Sequence, residues 1–512
     1  MDNLERTIKS YNPATGELLG EVPNMTGETI SEIVQKVATA GKMWQALSIK
    51  ERIVYLQKVK NTIIENTDEL CKLISQENGK TVFEALSFEV IIVPYFIDYF
   101  CREAQRALEN QSLSIHLFKH RKSYVHYKPL GIHCAISPWN YPFFLPVSMI
   151  IAPLLAGNSV ILKPSSLTPL TAKYIEKIFV TSGFPENVLS VVTTSGENAF
   201  NMISMEEVKS LTFIGSTAVG KKVAAECGRN LIPCAMELGG NNPAIVARDA
   251  DIELATGAIT MSAFGNAGQT CAACGRVYVE EAIYDVFVER LLNRVHKIHC
   301  GNPLDYTTSM GAITDSKSFE LFESAIKDAQ EKGAQIAVGG KRITIDGRGN
   351  FFEPTVITNA TQNMIAVTYE LFGPILPIVK VKNIDEAITY ANDSVYGLSA
   401  YVFSQDAHKA KKIAEQVVAG NVIINESFIN NALPDLPWGG EKQSGIGRIY
   451  TKEHLRQFSH AYHVHYDAIP FAVSQFFWAP YSKKMYSRIK RYAQLFIRSG
   501  LLEKFTGFFG GQ

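Results

Sequence analysis

The chain lacks the features that mark several broad classes of protein. Only 8 of its 512 residues are cysteine. That is too few to staple a chain of this length, so a disulfide framework is excluded and a reducing compartment is expected. Neither sign of charge is in excess, with 50 Lys+Arg against 50 Asp+Glu. A general nucleic-acid binder needs surplus cations to neutralise phosphates, and no nucleic-acid partner is expected. No apolar leader follows the polar start Met1-Asp2-Asn3-Leu4-Glu5-Arg6, and a cytoplasmic location is expected. Long apolar runs are missing too. Residues 129–162 carry no Asp, Glu, Lys or Arg, but Pro138, Pro142, Pro146 and Pro153 break the stretch. It never reaches the roughly 18–20 uninterrupted apolar residues of a spanning helix, and buried strand–loop–helix structure is the expectation there.

What is present is globular. The hydrophobic share is 46% and the charged share 20%, in a length sufficient for two packed cores. Residues 26–109 read mostly as helices, with Ile30, Ile33, Val34 and Val37, then Leu56, Val59 and Ile63, at helical spacing. From about 131, short apolar runs such as Ser159-Val160-Ile161-Leu162 and Ser210-Leu211-Thr212-Phe213-Ile214 alternate with helical segments. That alternation indicates βαβ units around a parallel sheet, whose ligands bind at the carboxyl ends of the strands. A second α/β block runs from Pro243 to Asn425, with Gly239-Gly240-Asn241-Asn242 as the boundary between the two cores. Ser123–Tyr127 and Ala461–Tyr466 alternate with period two. They read either as strands that pair for assembly or as ordinary sheet edges.

Several residues are candidates for chemistry. Cys271 ends the small-residue run Gly265-Asn266-Ala267-Gly268-Gln269-Thr270. Such a loop lets a carbonyl carbon approach thiol and backbone together, which suits a nucleophile once the thiolate forms. A buried inert cysteine is the other reading. Cys271 and Cys274 form a CxxC, but no second CxxC or nearby His pair completes a zinc site, so no metal is expected. Between Cys271 and Cys274 a reversible disulfide or simple packing are both open. Glu237, at the end of an apolar stretch and before Gly239-Gly240, is a candidate general base if partial burial raises its pKa, or a solvent-facing acid. Asn140, between Pro138 and Pro142, is a candidate oxyanion donor or a turn residue serving its own backbone. Gly215-Ser216-Thr217-Ala218-Val219-Gly220 joins a strand to a helix and suits a phosphate, although its glycine spacing matches no standard fingerprint. Lys163 at a strand end, Glu370 and Phe372 suit ribose, phosphate and ring contacts, with surface charge and core packing as their plain readings.

Taken in order, these motifs resemble the aldehyde dehydrogenase superfamily. The resemblance runs from Tyr11-Asn12-Pro13 through Pro138-Trp139-Asn140, Lys163-Pro164, Gly183-Phe184-Pro185, Phe213-Ile214-Gly215-Ser216, Glu237-Leu238-Gly239-Gly240, Gly268-Gln269-Thr270-Cys271 and Glu370-Leu371-Phe372-Gly373-Pro374 to Pro437-Trp438-Gly439-Gly440. It implies an α/β fold: a Rossmann-like cofactor domain (1–120 and 131–238), a second α/β domain carrying the nucleophile (239–437), and a small β extension (121–130 and 455–467) that assembles a homo-dimer or homo-tetramer. It implies oxidation of an aldehyde with NAD or NADP. Cys271 attacks the aldehyde carbon, Asn140 and the Cys271 N–H hold the oxyanion, and Glu237 activates water. A retained general base at Glu237 favours a free acid product over transfer to coenzyme A. The implied cofactor set is Ile136, Trp139, Lys163, Ser166, Gly196, Gly215, Ser216, Gly220, Leu238, Glu370 and Phe372. The rival is a catalytically silent scaffold, which has no chemical need for Cys271, Glu237 and Asn140 together.

Three departures from the family pattern set further expectations. Ser166 stands where NAD-preferring relatives often carry a Glu that repels a 2′-phosphate, so NADP is expected to be accepted. Ile449 follows Arg448 where many relatives have an acid, so water carries the proton from Glu237. Ser148 stands where succinate-semialdehyde relatives often carry Arg, among Tyr141, Phe143, Phe144 and Leu145, so an apolar or aromatic aldehyde is expected. Beyond the resemblance, residues 481–512 carry Lys483, Lys484, Arg488, Lys490, Arg491, Arg498 and Lys504 against Glu503 alone. Met485, Ile489, Tyr492 and Phe496 fall at helical spacing, and an aromatic end follows. This basic amphipathic tail reads as a peripheral contact with an anionic membrane or as a helix packed on protein.

Overall fold

The computed structural model describes residues 7–115, 121–194, 196–468 and 478–494. It divides into two units. The larger comprises Met1–Ala107 with Pro129–Ser459, and the smaller Leu108–Lys128 with His460–Gln512.

The larger unit is built on two mostly parallel sheets. Its N-terminal helices are Gly27–Ala46, Ile49–Glu65, Thr67–Asn78 and Ile92–Leu108. Ser48 and Glu51 close a reciprocal capping box at the start of the second, satisfying amides that lack helical partners. The first helix buries Ile30, Val34 and Val37 on the stripe read from the sequence, while Ile33 is only partly covered. This stripe packs with Ile132, Cys134, Ile161, Leu211 and Phe213 of the first sheet in one core. The uncharged stretch becomes the strand Ile132–Ile136, the wholly buried helix Phe144–Ala156 and the strand Ser159–Lys163.

The first sheet orders its strands as Gly445–Ile446, Cys234–Glu237, Val208–Ile214, Ile132–Ile136, Ser159–Lys163 and Leu189–Val191. All pairings are parallel except that of Gly445–Ile446, which returns from far along the chain to run antiparallel to Cys234–Glu237. From Ile132–Ile136 the chain winds outward one way to Leu189–Val191. It then crosses back to place Val208–Ile214 on the other side. The carboxyl ends of Ile132–Ile136 and Val208–Ile214 therefore flank a topological switch point, where open α/β sheets leave a crevice.

Residues 238–241 lead from Glu237 into the second sheet. Its order is Gln335–Val338, Thr355–Thr358, Ile375–Val381, Cys274–Glu280, Asn242–Val246, Ser399–Phe403 and Asn421–Ile424, antiparallel only at the first pairing. Its strands and the helices Ile252–Phe264 and Tyr284–Val295 share a separate core around Ile245, Ile259, Phe287 and Tyr401.

The smaller unit holds a three-stranded sheet ordered Ser459–Asp467, Arg121–Pro129, Gln111–Leu113. The two period-two segments thus lie side by side, extended by a third strand that the sequence reading did not single out. Ser123 Oγ bonds His465 Nδ1 at 2.6 Å within it. The helix Lys483–Tyr492 belongs to the same unit. The remainder of the tail reading, from Phe496 through Leu501, Leu502, Phe505, Phe508 and Phe509, lies outside the described residues. No helix among the described residues is long and apolar enough to cross a membrane.

Candidate active site

A cleft of about 630 Å³ opens at the carboxyl end of the first sheet. Its wall brings together Cys271, Glu237 and Asn140, with Trp139, Gly215, Ser216, Leu238, Glu370 and Phe372. These residues come from separate stretches of sequence and meet because the switch-point strands end there.

The loop that presents Cys271 is strained and tightly held. Asn266 and Ala267 have φ of 51° and 52°, left-handed values that cost L-residues energy. Gly268 follows at φ 73°, and a Cβ there would stand 2.3 Å from the Gly373 carbonyl oxygen, so only glycine fits. Hydrogen bonds hold the strain in place. The Asn266 N–H donates to Glu84 at 2.7 Å, and its side-chain amide donates to the Asn140 carbonyl at 2.9 Å. Asn242 donates to the carbonyl oxygens of Cys271 and Ala273, both at 2.7 Å. The Asn140 side chain is 3% exposed and donates to the Gln269 carbonyl at 3.0 Å. An amide nitrogen carries two protons, so one remains for a ligand oxygen. Cys274 is buried, and its thiol turns to the Arg276 carbonyl at 3.7 Å.

Electrostatics here oppose negative charge. Burial, then Glu370 and Glu237, pushes the Cys271 thiol up to about 12. Glu237 is buried, and neither carboxylate oxygen meets a donor at full hydrogen-bond geometry. Burial holds its pKa well above the usual carboxylate range, partly offset by the Arg448 charge and the Trp438 indole. A raised carboxyl is a stronger proton acceptor than an exposed one. Burial also pushes Glu370 up to about 7, although Oε1 accepts the Gly240 N–H at 2.8 Å.

Next to the cleft lies a recess of about 290 Å³ that shares Pro138, Trp139, Ile214, Gly215 and Ser216 with it. Ile136, Lys163 and Gly196 line this recess. Burial lowers the Lys163 ammonium below its ordinary range, and among the described residues it has no ion-pair partner. Ser216 caps the helix Thr217–Arg229, and Gly196 begins the helix Gly196–Ile203. Both helices offer their N-terminal ends to the recess, where N–H groups and the helix dipole favour phosphate. Trp139 and Phe372 stand edge to face at 5.5 Å and wall the cleft for a ring. An elongated pocket with two helix N-termini, a half-buried cation and aromatic walls fits a dinucleotide.

Two of the predicted cofactor residues stand off the wall. Ser166 is exposed in the turn after Lys163, and its neighbour Ser165 lines the recess instead. Gly220 lies inside the first turn of its helix, where a Cβ would meet Leu238 Cδ2 at 2.3 Å. It lets the helix approach the sheet and does not face the cleft. The sequence reading also passed over Tyr369, Tyr396, Leu321, Lys221 and Gln443, all on the cleft wall. Tyr369 adjoins the quoted Glu370 motif, and Gln443 follows closely on Trp438-Gly439-Gly440. Leu321 and Tyr396 carry no local signal.

A sequence model of the aldehyde dehydrogenase family matches residues 1–464. Glutarate-semialdehyde dehydrogenase of Pseudomonas aeruginosa is 36% identical over 454 residues, covering 88% of this chain and 92% of that protein. The NADP-dependent succinate-semialdehyde dehydrogenase of Escherichia coli is 35% identical over 457 residues, covering 89% and 93%. Among solved structures, an aldehyde dehydrogenase from Brucella melitensis biovar abortus superposes with a TM-score of 0.86 at 34% identity, covering 90% of this chain and 93% of that one. Betaine aldehyde dehydrogenase of Staphylococcus aureus in complex with NAD+ gives a TM-score of 0.87 at 32% identity, covering 93% and 95%.

Proposed function

The chain belongs to the aldehyde dehydrogenase family and oxidises an aldehyde with NAD+ or NADP+; from that premise we propose that Cys271 is its nucleophile, Asn140 its oxyanion donor and Glu237 its general base. The observation that carries the reading is one wall of one cleft holding a thiol, a rigid amide and a carboxylate without strong partners. A silent scaffold has no use for that combination.

Cys271 attacks as its thiolate, forming a C–S bond while the carbonyl π electrons move to oxygen. Asn140 Nδ2 and the Cys271 N–H stabilise that oxyanion, each contributing about 3 kcal/mol. When bound, a nicotinamide dinucleotide supplies the acceptor for the hydride that leaves the same carbon. Glu237 then takes a proton from water as its oxygen adds to the thioester, and the C–S bond breaks to release the acid and the Cys271 thiolate. Lys163, Ser216 and the two helix ends would hold the phosphates and adenosine ribose, with Glu370 and Phe372 at the nicotinamide end. Replacing Cys271 by Ala tests the reading: absorbance growth at 340 nm with an aldehyde panel should vanish, and a parent-like rate refutes it.

The substrate we propose is an apolar or aromatic aldehyde. The glutarate- and succinate-semialdehyde dehydrogenases among the relatives are named for aldehydes that carry a carboxylate. In this chain Ser148 is buried and donates to the Leu145 carbonyl at 2.8 Å. Tyr141, Phe144 and Tyr450 are buried as well. Of the nearby cations, Lys80 is paired with Glu89 and Arg448 with Glu441. We further propose a cytoplasmic protein that assembles through the sheet edge Ser459–Asp467 and touches anionic membranes through the tail. On the helix Lys483–Tyr492 the cations are exposed beside Tyr486 and Ile489. Liposome binding unchanged on removal of 481–512 counts against the membrane contact.

A further inference from the structure

Behind the site lies a set of buried charges that the chemistry above does not use. Lys80 and Glu89 form an ion pair at 2.6 Å with both side chains fully inaccessible. A buried pair adds little stability over apolar residues of the same volume, so its presence asks for another role. Glu89 sits in the π-helical turn Leu86–Val90, a widened geometry that often marks functional sites.

The contacts of the pair converge on one segment. Lys80 Nζ donates to the Asn140 carbonyl at 2.8 Å and lies 3.8 Å from the centre of the Tyr141 ring. Lys80 thus meets a carboxylate, a backbone carbonyl and a ring face at once. Glu89 Oε2 accepts the N–H groups of Phe143 and Phe144 at 2.7 and 3.1 Å. The pair therefore grips residues 140–144 at both ends. The Tyr141 hydroxyl in turn bonds Thr270 Oγ1 at 2.9 Å, next to Cys271 in the chain. We propose that Lys80, held by Glu89, is a positioning residue that fixes the Asn140 amide relative to the Cys271 sulfur. This rests on the assignment of Asn140 and Cys271 above. Lys80 touches neither substrate nor cofactor; it acts through the backbone of Asn140 and the ring of Tyr141.

The test is a double-mutant cycle on the pre-steady-state formation of NAD(P)H, in the full-length protein. Lys80→Met should slow the burst on the order of thirtyfold, a part of what losing an oxyanion donor outright costs. Cofactor dissociation constants should stay within about twofold, because the recess is untouched. In an Asn140→Ala background, Lys80→Met should slow the burst by no more than about threefold, since the group it positions is already gone. Parent-like burst rates, or losses that multiply in full, overturn the proposal. Glu89→Gln is measured the same way and decides the matter if Lys80→Met yields no folded protein. A Cys271→Ala enzyme that still turns over refutes the catalytic reading itself. Inactive Cys271→Ala and Asn140→Ala beside a normal Lys80→Met refute only this inference.

Discussion

Asn140 Nδ2 donates to the carbonyl of Gln269 at 3.0 Å, tying the end of the first sheet to the loop that presents Cys271. One amide proton is spent on that tie, and the other is free to meet the oxyanion. Asn140→Ala removes the donor and the tie together. The expected outcome is a fall in kcat of roughly 10²–10³-fold with a much smaller change in KM for the aldehyde, because the lost bond strengthens only as charge develops on oxygen. Steady-state kinetics on the purified variant measure both constants.

Glu370 and Cys271 form a second linked pair, and the sign of their coupling is testable. Burial is the main cause of the raised thiol, and Glu370 is the next. Glu370 titrates near 7, well below the thiol near 12. Glu370 is therefore already an anion throughout the range in which Cys271 ionises, and it disfavours the thiolate. Glu370→Gln removes that charge, so the pH midpoint for alkylation of Cys271 by iodoacetamide should move down. A midpoint that stays or rises contradicts the electrostatics of the site. By the same logic kcat/KM of the parent should climb with pH on the alkaline side.

Part of this was legible in the sequence, and the reasons differ by element. The helices over 26–109 and the strands from Ile132 announced themselves because their buried faces repeat at 3.6 or run apolar throughout. The hairpin Arg342–Ile345 with Arg348–Phe352 did not, since strands of only 4 and 5 residues are too short for their pattern to stand out. Cys271, Glu237 and Asn140 were readable through the motifs around them. The grip of Lys80 on Asn140 was not, because it joins residues far apart in the chain and exists only once the helices pack. Ser165 was missed in favour of Ser166 because only the turn geometry decides which of two adjacent serines faces the recess.

Glu237→Gln separates the two halves of the reaction. Hydride leaves before water attacks, and the first half needs no general base for water. The variant should release about one equivalent of NAD(P)H per site in a burst and then stall. Its steady-state rate should fall roughly 10²–10⁴-fold, the range for losing a general base. A trapped acyl-enzyme, heavier by the acyl group in mass spectrometry, should accumulate on Cys271. Loss of the burst itself places Glu237 in the first half instead.

Cofactor choice follows from the recess around Lys163. Its ammonium has no ion-pair partner among the described residues, and the turn beyond it ends in Ser165 and Ser166 with no carboxylate at either position. Nothing in that turn repels a 2′-phosphate. The ratio of kcat/KM for NAD+ over NADP+ should stay well under a thousandfold. Ser165→Glu should lower kcat/KM for NADP+ by tenfold or more, about 1.4 kcal/mol, with little effect on NAD+. A parent that rejects NADP+ outright removes the premise.

Substrate choice turns on whether any positive charge greets the far end of the aldehyde. Ser148 spends its proton on Leu145, and Tyr450 is 2% exposed with φ of 69°. Phe96 packs edge to face on both Tyr450 and Phe144, at 4.9 and 5.0 Å. A carboxylate driven into this aromatic cluster would give up its hydration with no cation to replace it, a cost of several kcal/mol. An alkyl chain or ring gains about 0.8 kcal/mol for each methylene it buries. kcat/KM should therefore rank hexanal and benzaldehyde above succinate semialdehyde. The reverse order would mean that a cation reaches the substrate from elsewhere, and the apolar reading would fall while the thiol chemistry stood.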